Sequence, residues 1–76
     1  MSSLIDTMNA LINNNPHLVL FAIGIAKATP LNDDDAIQTA VTEKVKSWGI
    51  KNTAEETETV EKMTRLVKWF QFQPPA

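Results

Sequence analysis

Leu18-Val19-Leu20-Phe21-Ala22-Ile23-Gly24-Ile25-Ala26 runs for nine residues without a polar side chain, and the reading of this stretch decides the fold. A membrane span needs about 20 consecutive apolar residues, so the run is too short to cross a bilayer. Val19, Ile23 and Ile25 would suit a buried strand. The interval between Pro16 and Pro30 is long for one, however, and no second segment offers a strand to pair with it. The remaining solution is a helix from Pro16 to about Ala28. Asn15 stands at its cap and Pro16 at the first helical position, where the missing proline N–H would have had no partner.

On that helix Ala22 and Ala26 lie one turn apart, as do Gly24 and Ala28. Small side chains let a neighbouring helix approach closely. Gly24 costs about 1 kcal/mol relative to alanine in a helix interior, which close packing would offset. We therefore expect Gly24→Leu to overpack and to destabilise or dissociate the fold by about 1–3 kcal/mol.

Before this helix, Leu4, Ile5, Met8, Leu11 and Ile12 recur at the spacing of one helical face. Ser2 or Ser3 can cap that helix, and Asp6 suits the positive end of its dipole. Asn13-Asn14-Asn15-Pro16 ends it, because the residue before proline is pushed out of the helical region.

Beyond the apolar run, Thr29-Pro30-Leu31 breaks the helix and Asn32-Asp33-Asp34-Asp35 begins another. An asparagine or aspartate at the cap, followed by carboxylates in the first turn, accounts for this acidic cluster without a metal. It lacks the alternating ligands, the glycine and the distal glutamate of a calcium loop. Ile37, Val41, Val45 and Trp48 form the apolar face of this third helix, and Gly49-Ile50 supplies a left-handed cap. Thr53 and Glu56 have the types and spacing of a capping box for a fourth helix. Its buried face is expected to hold Val60, Met63, Leu66, Val67 and Phe70. Glu58–Lys62 and Glu61–Arg65 fall at the i,i+4 spacing of surface ion pairs. Gln71-Phe72-Gln73-Pro74-Pro75-Ala76 closes the chain, and Trp69 and Phe72 either fold back over the core or form an aromatic patch for a partner.

The fold class is thus all-α, a compact bundle of four short helices (about 3–13, 16–28, 33–48 and 54–70) around an apolar second helix. Residues 1–72 read as a single domain and 73–76 as a short Pro-rich tail. A chain of 76 residues buries only about 60% of the surface it exposes when unfolded, and without cysteine it has no disulfide to compensate. Self-association is one compensation.

Composition removes most chemistries. With no cysteine or tyrosine, one histidine at His17, and serines only at 2, 3 and 47, no nucleophile, base and orienting acid come together. Gly24 and Gly49 are the only glycines, which excludes a glycine-rich phosphate loop. The net charge of -2 is too small for a nucleic-acid mimic, and neither half of the chain is basic enough for a phosphate-binding surface. We expect no enzyme, catalytic residue, cofactor or metal site.

Val45-Lys46-Ser47-Trp48-Gly49-Ile50-Lys51-Asn52-Thr53 is similar to the turn of a DNA-binding helix-turn-helix. The helix that would enter the groove opens Ala54-Glu55-Glu56-Thr57-Glu58, three carboxylates that DNA would repel. An acidic four-helix chain of this length also looks superficially like an acyl carrier protein. That family attaches its prosthetic group to a serine in an Asp-Ser-Leu motif opening a helix, whereas Ser47 lies near a helix end between Lys46 and Trp48, so neither family is assigned.

The expected function is a small non-enzymatic interaction or regulatory module, self-associating as a homodimer or higher oligomer, or binding another protein. Phe21, Gly24, Ile25, Trp69, Phe70 and Phe72 are the expected partner-binding residues. The alternative is a carrier of an apolar ligand, or a membrane-surface protein exposing the second helix. No nucleic-acid partner and no stable membrane insertion are expected. No lysine or arginine precedes Lys27, so the chain lacks the basic start of a signal peptide, and a cytoplasmic location is the default expectation.

Overall fold

A computed structural model describes residues 3–72, and the chain is helical through most of that range, with no strand among the described residues. The Pro-rich tail expected at 73–76 and the candidate cap Ser2 lie outside the described residues. In order, the helices are α1 (Leu4–Asn14), α2 (Pro16–Ala28), α3 (Asp34–Ser47) and α4 (Thr53–Phe72).

Local chemistry explains where each begins and ends. The Ser3 hydroxyl accepts from the Asp6 N–H at 3.1 Å and caps α1. Asn15 serves two helices at once. Its amide side chain donates back to the Leu11 carbonyl at 3.0 Å, closing α1, while its own carbonyl accepts from Leu18 at 3.0 Å, opening α2 ahead of Pro16. Between α2 and α3, a turn from Pro30 to Asp33 holds Asn32 at φ +62°, a left-handed conformation that asparagine tolerates. Asp33 then caps α3, its carboxylate accepting from Ala36 at 3.0 Å. Gly49, at φ +68°, ends the turn after α3 as its sequence context predicts. The cap of α4 differs from expectation by one position. Asn52 rather than Thr53 accepts from the Glu55 N–H, at 3.0 Å, and Thr53 is already the first helical residue. Asparagine caps at least as well as threonine, so two good candidates side by side left the choice to geometry.

The core combines Leu18, Ala22 and Ile25 of α2, Ile37, Val41 and Val45 of α3, Met63, Leu66 and Val67 of α4, and Met8 alone from α1. No polar or charged side chain is buried among the described residues. α2 and α4 each pack against all three other helices, whereas α1 and α3 do not meet. The second helix is therefore central, a position it shares with α4.

Its coverage, however, is one-sided. The molecule measures 35 × 28 × 18 Å, about two helices thick, and no described element covers the outer side of α2. Leu20 is 75% exposed and Gly24 stands open, with nothing within 4 Å of where a Cβ would be. The expectation that Gly24 packs closely within the chain is thus overturned, and with it the expected overpacking within a single copy. α1 departs in the same way. Leu4 and Ile5 are 67% and 59% exposed because only the C-terminal part of its apolar face meets α2 and α4. Trp48, expected inside, lies at the surface against Phe21. Glu58 and Lys62 pair at 2.9 Å as expected, but Glu61 and Arg65 form no ion pair among the described residues. Lys68 pairs instead with Asp34 at 3.0 Å, tying α4 to the start of α3.

Candidate functional site

The outer face of α2 is set by helical geometry. At about 100° per residue, Leu18, Ala22 and Ile25 point to the core, and His17, Leu20, Phe21, Gly24, Lys27 and Ala28 point away from it. An outward helix face is ordinarily charged; this one carries Lys27 and His17 only. Phe21 leans on Trp48 edge to face, with ring centroids 5.1 Å apart and planes at 62°. The Lys44 ammonium sits 5.3 Å from the Phe21 ring centre, so the aromatic pair is flanked by a cation.

At the N-terminal end of this face opens a cleft of about 550 Å³ whose walls include His17, Phe21, Trp48, Glu55, Glu58 and Lys62. The Lys62 ammonium donates to Glu58 and lies close in charge, holding that carboxyl below the usual glutamate value. No hydroxyl nucleophile faces His17 within a hydrogen bond, and no cluster of three or more metal-ligating side chains exists among the described residues. His17 is exposed in the first turn of α2 and reads as a surface residue.

A second surface lies between α1 and the end of α4. Leu4, Thr7 and Met8 line one side of a groove of about 360 Å³, and Arg65, Lys68, Trp69 and Phe72 line the other. It exists because α1 overhangs: Leu4 projects past the core at the level where α4 presents its last two turns.

The six residues expected to bind a partner therefore separate. Phe21 and Gly24 stand together on the open face of α2. Ile25 does not join them: one further step around the helix turns it toward the core, where it is 9% exposed. Trp69 and Phe70 are half-buried against the core, and Phe72 is 63% exposed. Only Trp69 and Phe72 share a groove, and Phe70 lines a different one with Ile23 and Leu31. Leu20, Leu4, Ile5 and Trp48 were missed. Leu20 had a signal, since it shares a helix face with Gly24 and Lys27; for Leu4, Ile5 and Trp48 the periodicity pointed inward.

No protein-family model matches this chain, and no curated protein or solved structure matches it either.

Proposed function

We propose that the chain is a small protein-interaction module that pairs with a second copy of itself through the outer face of α2. The observation that carries this reading is Gly24. A glycine at mid-helix costs about 1 kcal/mol relative to alanine, and no contact among the described residues requires it. A second helix crossing at that point would.

Two antiparallel α2 helices crossing at Gly24 set residues equally far on either side of it opposite each other. Leu20 then faces Ala28, a large side chain over a small one, and Phe21 faces Lys27, a ring over a cation. The pairing is isologous, and the face is complementary to itself in size, with the contact of ring and cation made twice. A single pair of crossing helices makes a small interface, so a dissociation constant on the order of micromolar is expected.

Sedimentation across a concentration series tests the reading. The wild type should pass from monomer to dimer, and Leu20→Glu should remain monomeric with its helical circular dichroism intact. A wild type that stays monomeric into the high micromolar range rejects it. If the monomer instead floats with anionic vesicles, and Leu20→Glu does not, the face belongs to a lipid surface and the self-pairing reading is wrong.

A further inference from the structure

We infer that the groove between α1 and α4 receives an acidic amphipathic helix from a different protein. This surface is separate from the outer face of α2 and shares no residue with it.

The argument begins with what the groove offers. Arg65, Lys68, Trp69 and Phe72 follow one another at i, i+3, i+4 and i+7 along α4, so one stripe of that helix carries two cations and then two aromatics. Leu4 and Met8, one turn apart on α1, form the opposite apolar wall, and among the described residues Thr7 is the only uncharged polar side chain on the surface. Among the described residues no carboxylate lines it. Asp6 lies about 200° around α1 from Leu4. Of the two cations, Lys68 has one exposed partner, Asp34, and Arg65 has no ion pair among the described residues.

The groove is apolar at the Leu4, Trp69 and Phe72 end and cationic about a turn away at Arg65 and Lys68. It matches a helix that lays apolar residues one turn apart against the aromatics and sets glutamates about a turn further along, against the cations. Arg65 favours a carboxylate in particular, since its guanidinium can form two parallel hydrogen bonds to one. A second copy of this chain cannot be that helix. Its acidic helices, α3 and α4, have their apolar faces committed to the core, and α1 carries a single carboxylate. The occupant is therefore foreign.

The test uses the full chain carrying Trp48→Phe, which leaves Trp69 as the sole tryptophan, and Leu20→Glu, which holds it monomeric. The probe is a stapled helical peptide of about 14 residues with leucines on one face and glutamates flanking them. Its control replaces every glutamate by lysine. The glutamate peptide should shift Trp69 emission saturably, at least tenfold more tightly than the lysine peptide, and more weakly as salt rises. Arg65→Glu with Lys68→Glu should reverse the preference, and Phe72→Ser should abolish binding of either peptide. All these positions are exposed or half-buried, and circular dichroism checks that each variant is folded. Equal binding of both peptides, binding by neither, or binding untouched by Phe72→Ser overturns the inference. So does a Trp69 response to decanoate micelles with none to the peptide, which assigns the groove to an anionic amphiphile.

Discussion

The Gln71 side-chain amide donates to the Thr29 hydroxyl at 3.0 Å, and Thr29 in turn donates to the Ile25 carbonyl at 2.7 Å. The end of α4 is thereby fastened to the end of α2. Carbonyls of Ala26, Thr29 and Pro30 lie within 3.4 Å of the same amide nitrogen and share its two N–H groups. Carbonyls left free where a helix ends need donors, and here they find one from a residue more than forty positions away.

Removing this donor should be felt. Gln71→Ala is expected to lower stability by about 0.5–1.5 kcal/mol, the usual net value of one such hydrogen bond. Gln71→Glu should cost more, because it sets a carboxylate against several acceptors. Urea denaturation at several wavelengths checks both, and unchanged midpoints would show that the contact is not made in solution.

Ala22 and Gly24 are two residues apart and should respond oppositely to added bulk. Ala22 is fully buried, so Ala22→Leu should destabilise by about 1–3 kcal/mol through overpacking. Gly24→Ala meets open space and should stabilise the monomer by up to about 1 kcal/mol. Denaturation of dilute protein, below the association range, separates the two; equal losses would put Gly24 inside the core.

The start of α4 supplies a third measurement. Asn52→Ala should cost about 1 kcal/mol, the usual value of a lost side-chain cap. Thr53→Ala should stay within about 0.5 kcal/mol, the range for an uninvolved surface position. If the two losses are exchanged, the helix begins one residue later.

The Glu58–Lys62 pair makes a prediction about pH. Glu58 is solvent-exposed and titrates below the ordinary glutamate value, first because Lys62 donates to it and second because of that lysine's charge. A carboxyl with a depressed folded-state pKa contributes its stability above the unfolded pKa and loses it as pH falls through the folded one. The contribution is therefore present at neutral pH and disappears only in acid, below the usual glutamate range. Carboxyl-carbon NMR titration should place Glu58 below its value in Lys62→Gln, with the gap closing at high salt. An identical midpoint in both proteins would show that the pair does not persist.

What the sequence made legible were features settled within a few residues. Ser3, Asp33 and Gly49 each act on atoms no more than about a turn away, and the paired spacing of Ile37, Val41 and Val45 needs only a helix to put them on one side. What escaped depends on where a neighbour stops. Leu4 and Ile5 share the periodicity of Met8, but at the level of Leu4 α4 lines an open groove instead of covering it. Trp48 continues the stripe of Val41 and Val45 and emerges at the edge because α3 ends beside Phe21. Gly24 resembled a packing glycine, and periodicity alone could not say that the expected contact was missing from the same chain.

Asn15 has a consequence for how insertions would be tolerated. Since one residue closes α1 and opens α2, the junction contains no slack, and the rotational phase of α1 is geared to that of α2. A residue added there, unless absorbed in a longer loop, would turn α1 by about 100°, taking Met8 out of the core and bringing Asn9 toward it. The loops after α2 and α3 each have several residues in which to absorb such a change. α1 is therefore the helix whose facing tolerates insertion least, although it contributes least to the interior.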